Sequence, residues 1–449
     1  MRKVRIGAGA GFARDRVEPA LELVLGGDIG YLVFECLAER TIATDQLEKT
    51  RNPEKGYNAG LDARMRAVLG PCRERGVKIV TNMGSANPVA AARRVKQLAR
   101  ELGLPEAKVA AVEGDDVVDR VRAMEARILE TGESLDTIRP RIVSANAYLG
   151  AEPMVEALRR GADVVVVGRS ADPSLFLAPM MHELGWGADD WGRLGAGTVV
   201  GHLLECAGQV TGGYFADPGY KDVPGLARLG FPIAEVREDG EALVTKVPGS
   251  GGAVTFETAS EQLLYEIHDP GAYVTPDVVA DFGGVELEEA APDAVRVRGG
   301  TGRPRTPTLK VSVGYRDSFI GEGQMSYAGP GALERAKLAA DVVLERLRLQ
   351  RLEASETRVD LVGVDSLHGP DLRAGAPAPR GPVPYEVRVR VACRTATAEE
   401  AAKVGTEVAS LLTNGPAGGA ADAASVREII AILSVLLPRE AVRPVVTMV

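Results

Sequence analysis

The chain has 449 residues, 45% of them hydrophobic and 26% charged, the balance of a globular protein with two or three domains and a sizeable core. A net charge of −9 with no long basic run does not indicate a nucleic-acid-binding surface, though a local anion site remains open. No run of about 18 apolar residues and no hydrophobic leader are visible, so no membrane contact is expected and the cytoplasm is the expected location. Cys36, Cys72, Cys206 and Cys393 are scattered without a C-x-x-C pair, which argues against a zinc ribbon or a disulfide framework.

Near the start, "IGAGAGFARDR" (6–16) resembles a phosphate-cradling loop after a first strand. Its glycines alternate, however, and do not run into a helix as G-x-G-x-x-G requires. The stretch therefore reads as a flexible loop at a strand end carrying Arg14, Asp15 and Arg16, and no dinucleotide cofactor is expected.

Up to about residue 190, short apolar runs alternate with helical patterns. Runs at 3–6, 31–34, 77–81, 108–112, 141–145 and 163–168 predict buried strands, with helices such as 87–102 and 152–160 between them. Such alternation predicts an α/β domain built on a parallel sheet, whose ligands bind beyond the carboxyl ends of the strands. The residues placed there are Glu35 and Cys36, Asn82 in "TNMGSANP", Asn146 and Tyr148 in "SANAYLGAEP", and Arg169 and Asp172 in "GRSADP". Asn87, before Pro88, fits helix capping. Arg169 beside a buried strand end needs an anionic partner, either Asp172 or a substrate carboxylate or phosphate.

The stretch "GAGTVVGHLLECAGQVTGGYF" (195–215) predicts a helix that is apolar over most of its surface. His202, Glu205 and Gln209 form one stripe on it, and no Lys or Arg occurs between Leu194 and Lys221. A polar stripe on a buried helix points to a polar pocket, and His with Glu forms an acid/base pair or a mutually satisfied core pair. One His and one Glu are too few for a metal site, so none is expected. Farther on, Lys246 precedes a Gly/Ser loop with Ser250, Gly251 and Gly252, which can cradle an anion through its amides.

"TGRPRTPT" (301–308) reads as a linker between domains 1–300 and 301–449. Beyond it, strand 309–315, helix 332–351, strand 358–364, a Pro-rich loop 369–384, strand 385–394, helix 398–412 and strand 429–437 follow the βαββαβ order of a ferredoxin-like α+β domain. The apolar "PVVTMV" at 444–449 suggests a subunit interface, hence a homo-oligomer.

The motifs "GAGAGFARDR", "ECLAERT", "TNMGSANP", "GADVVVVGRSADPSL", "GHLLECAGQVTGGYFADPGYKDVPGLARLGFPIAEV", "EQLLYEIHDPGAYVTPDV" and "LTNGPAGG" together resemble the acyclic terpene utilisation (AtuA) family, from Val4 to about Val442. That resemblance implies a role in breaking down branched acyclic terpenoid acids as coenzyme A thioesters, with a hydratase or lyase reaction. It also implies a small domain that some relatives carry, expected here as a separate partner subunit. The combined expectation is a hydro-lyase acting on an acyl-CoA or related carboxylate. His202 and Glu205 are its acid/base pair, with Glu35 and Asp172 as further carboxylates. Arg14, Asn82, Asn146, Arg169, Lys246, Ser250, Gly251 and Gly252 are its substrate contacts. The rival expectations are a hydrolase or acyl transferase using Cys36 or Cys206, and a non-catalytic acyl-CoA-binding partner.

Overall fold

The computed structural model describes residues 2–369 and 384–449, so most of the expected Pro-rich loop lies outside the described residues. The chain divides into two compact units, Met1–Tyr315 with Ile432–Val449, and Arg316–Ala431.

The first unit opens with β1 (Lys3–Gly11), α1 (Glu18–Gly26), β2 (Tyr31–Glu35), α2 (Glu39–Arg51), α3 (Leu61–Arg75), β3 (Lys78–Thr81), α4 (Pro88–Glu101) and β4 (Val109–Glu113). It continues with α5 (Val118–Ala123), β5 (Ile142–Ala147), α6 (Glu152–Arg159), β6 (Val164–Val167), α7 (Asp172–Leu184) and α8 (Trp191–Glu205). Next come β7 (Pro232–Arg237), β8 (Ala242–Lys246), α9 (Phe256–Leu264), β9 (Tyr273–Val274), β10 (Val279–Asp281), β11 (Glu286–Ala291), β12 (Ala294–Arg298) and β13 (Thr301–Arg303).

Strands β1, β2, β3, β6 and β4 are neighbours in that order and run parallel. Val164–Val167 of β6 are all buried, as expected of a strand covered on both faces. The sheet as a whole is mixed, which corrects the expectation of a parallel one. Beyond β1 it continues antiparallel through β7, β8, β12 and β11. The β5 segment leaves it altogether and pairs antiparallel with residues 311–315. Apolar periodicity reports that a strand is buried, not which strand lies beside it.

The glycines of the opening motif lie inside β1, so the expected loop begins only at Phe12. They serve close packing: a Cβ on Gly9 would stand 2.8 Å from the Phe34 ring, and one on Gly11 would stand 2.3 Å from the Cys206 carbonyl carbon. Glycines also let α8 sink into the core. A Cβ on Gly195 would meet the Thr301 oxygen at 2.0 Å, and one on Gly201 the Pro173 oxygen at 2.7 Å.

The second unit carries the distal part of β14 (Thr308–Ala328), then α10 (Ala332–Leu349), β15 (Ala354–Val362), β16 (Glu386–Thr395), α11 (Ala398–Asn414) and the first part of β17 (Ala420–Pro438). The strand order is β15-β16-β14-β17, with β16 antiparallel to β15 and β14. Met325, Tyr327, Val343, Val389 and Val408 form its core. The expected strand 309–315 is longer in the structure, running on to Ala328; a Cβ on Gly321 would meet the Ala401 oxygen at 1.9 Å, so glycine permits the approach of α11. After β17 the chain returns to the first unit as β18 (Val445–Met448), antiparallel to β4. The apolar "PVVTMV" is thus used within the sheet.

Candidate functional site

Parallel strands put their carboxyl ends along one sheet edge. There Glu35, at the end of β2, accepts from the Leu37 amide at 2.8 Å and from Asn82 Nδ2 at 2.9 Å. The Cys36 amide donates to Asn82 Oδ1 at 2.8 Å. Arg169, after β6, donates to the Leu37 oxygen at 2.6 Å and to the Ser170 oxygen at 2.8 and 2.6 Å, and pairs with Asp172. The Arg169 amide and Asn146 Nδ2 both donate to Asp115 Oδ2 at 2.9 Å. The Arg169 guanidinium lies 4.7 Å from the Tyr148 ring centre, and the Tyr148 hydroxyl donates to Glu39. Lys310 sits over Tyr148 at 5.1 Å and 3.6 Å from Glu39. The segments from β2, β3, β5 and β6 therefore converge, and Gly11 brings β1 against the end of α8.

That helix end holds His202 and Glu205. His202 Nδ1 lies 2.7 Å from Glu205 Oε1, and Nε2 lies 2.9 Å from the Gln262 carbonyl oxygen. Gln262 Nε2 donates back to the His202 oxygen at 2.9 Å. A nitrogen facing a carbonyl must carry hydrogen, so the second proton of the dyad is shared between Nδ1 and Glu205. Tyr273 and Phe282 pack edgewise on the imidazole at 5.7 and 5.5 Å. Among the described residues, Glu205 Oε2 and Gln262 Oε1 find no donor.

Acids outnumber bases here, and the charges show it. Burial raises Glu35 well above the usual carboxylate range, and Asp172 adds to this against Arg169. Burial pushes Glu205 up to about 7 despite His202. Asp172 is also raised; 37% of its side chain meets solvent, but the protein packed around it and the Glu39 charge outweigh Arg169. His202 is raised because the Glu205 carboxylate overcomes its burial. Burial, then the charges of Glu205, Asp172 and Glu266, hold the Tyr273 phenol neutral.

Several expected contacts do not reach this cluster. Lys246 is spent on the Ser250 oxygen at 2.9 Å and Asp293 at 3.0 Å. The Ser250, Gly251 and Gly252 amides donate to the Val247, Arg228 and Pro224 oxygens, so these three are already used within the fold. Arg14 is exposed and has no polar partner among the described residues. Asn82, Asn146 and Arg169 lie in the cluster, where their side chains tie strand ends together. Burial raises the Cys36 and Cys206 thiols, the opposite of what a nucleophile needs. Sequence reasoning missed Glu39, Asp115 and Glu266. Glu266 is the one with a signal in the backbone, a non-glycine residue at φ +60°.

Among the described residues, no group of three or more His, Cys, Asp or Glu side chains could hold a metal ion, and no helix is long and apolar enough to cross a membrane. Fold and site define a mixed α/β protein with a buried, carboxyl-rich site at the carboxyl edge of its parallel strands. The model of the acyclic terpene utilisation family protein AtuA matches residues 4–448, and the chain belongs to that family. No curated protein and no solved structure matches it.

Proposed function

We propose that the protein is a hydro-lyase that adds water to, or removes it from, a branched acyl thioester or related carboxylate. The observation carrying this reading is Glu205: a buried carboxyl raised to about 7, with one oxygen on His202 and the other without a donor among the described residues. A carboxyl poised near neutrality both gives and takes protons efficiently. Nε2 of His202 is tied to a carbonyl, so the imidazole acts as a positioning residue, and the proton shared across the Nδ1–Oε1 contact is the one Glu205 delivers. In the dehydrating direction protonated Glu205 gives its proton to the departing hydroxyl, which leaves as water. Asp172, whose ionised form the Arg169 guanidinium favours, takes the proton next to the carbonyl as carboxylate, and Tyr273 O–H steadies the developing enolate oxygen. In this reading residues 316–431 are a ferredoxin-like module, the active form is a homo-oligomer, and a small separate subunit joins it.

The test is turnover of branched enoyl and hydroxyacyl thioesters in heavy-oxygen water. Glu205→Gln is expected to cost on the order of 10²–10⁴ in rate, the range for losing general acid–base help. Equal label uptake by wild type and Glu205→Gln would overturn the assignment. A non-catalytic binding role has one observation in its favour: cavities of about 930 and 860 Å³ are lined without His202 and Glu205. Tight thioester binding with no turnover on any substrate would select it.

A further inference from the structure

The acid–base reading leaves unused a groove of about 930 Å³ beside α9. Its volume suits a small-molecule site, and Phe215, Tyr220, Phe256 and Leu264 line it. Tyr220 is 89% exposed and Leu264 71%, so folding leaves a contiguous apolar wall to water.

The helix α9 links this groove to the dyad. Its inner face carries Gln262, bonded in both directions to His202. Its outer face carries Phe256 and Leu264 in the groove. The helix ends at Leu264, and two residues later the left-handed Glu266 belongs to the groove lining while its charge acts on Glu205.

The charges of the lining select what can lie there. Asp222, Glu257, Glu261 and Glu266 are four carboxylates against one ammonium, Lys221, which already pairs with Glu261 at 2.6 Å. A ligand carboxylate or phosphate would meet net negative charge, whereas a hydrocarbon meets aromatic and aliphatic surface. The cavity beside α1 is balanced instead, with Arg16 and Arg228 set against Glu18 and Glu22.

We propose that the α9 groove binds the branched hydrocarbon end of the ligand and admits only an uncharged polar group at its Glu266 end. The placement of the reacting end rests on the acid–base reading; the groove itself does not.

The test uses the full chain and two photo-reactive probes, a methyl-branched decanol and the matching carboxylate, with cross-links mapped by mass spectrometry. Labelling is expected on segments 215–223 and 256–266, and the alcohol is expected to bind about tenfold more tightly than the carboxylate above neutral pH. Leu264→Glu changes an exposed residue, so folding is retained while labelling falls about tenfold. Labelling beside α1 instead, preference for the carboxylate, or labelling unchanged by Leu264→Glu would each overturn the proposal. Glu205→Gln separates the two readings: full turnover in that variant with groove labelling intact removes the acid–base reading alone, and lost turnover with no groove labelling removes the groove alone.

Discussion

Two regions of this molecule concentrate charge and treat it in opposite ways. On the sheet of the second unit, Arg390 joins Glu322 at 2.5 Å and Asp360 at 2.7 Å, and Arg394 joins Asp317 at 2.6 Å. Arginines and acids alternate across neighbouring strands, and Arg390 and Gln324 hold Glu322 below its usual range against its partial burial. At the strand ends of the first unit, one guanidinium, Arg169, faces Asp172 and Glu35, and Glu205 has only His202. There the carboxyls are raised. The same residue types thus give a paired ladder in one place and a reservoir of titratable protons in the other. Asp360 and Glu322 are themselves largely buried, so the ratio of acids to bases makes the difference.

Removing the buried guanidinium is expected to have the largest effect. Arg169→Met strands Asp172 and leaves the Leu37 and Ser170 oxygens without their donor, and a loss of about 3–5 kcal/mol is expected in urea unfolding. A loss as small as that of a surface pair would erase the distinction drawn here.

Glu205→Gln comes next, and pH sharpens it. Glu205 titrates at about 7 in the folded protein against an ordinary 4.5. Folding therefore holds an extra proton between those values, and this stabilisation, present below about 4.5, is lost as pH rises through about 7. His202 is raised as well and acts in the same direction. Melting temperature should fall across this window in the wild type and fall less in Glu205→Gln; parallel profiles would show that Glu205 does not titrate there.

Gly11→Ala tests how rigidly the site is mounted. The added methyl would stand 2.5 Å from the Glu205 oxygen, and a cost of about 1–3 kcal/mol with a displaced end of α8 is expected by unfolding and crystallography. The smallest effect belongs to the ladder. Arg390→Ala should cost about 1 kcal/mol, because Asp360 keeps Arg358 and Glu322 keeps Gln324. A cost near that of Arg169→Met would mean that these remaining partners do not compensate.

Part of the acid cluster was legible along the chain; the ladder was not. The spacing of His202 and Glu205 placed them on one helical stripe, and the absence of Lys and Arg around them marked that helix as buried. The residues ending apolar runs, Glu35, Asn82 and Arg169, did come together. Their roles were not legible, because a side chain's donors are consumed by partners distant in sequence: Asn82 by Glu35, Asn146 by Asp115, Lys246 by Asp293. Glycine was the other source of error. In β1 it marks where another element comes close, and local propensity alone reads it as a loop.

The outer edge of β4 waits for its partner. Val445 pairs with Glu113, 332 residues earlier (445 − 113), and the whole second unit is made in between. At roughly 5–20 residues per second of synthesis, the Val109–Glu113 edge stays bare for tens of seconds on the ribosome. The first unit is begun first and closed last, so the nascent chain presents an apolar strand edge throughout translation of the second.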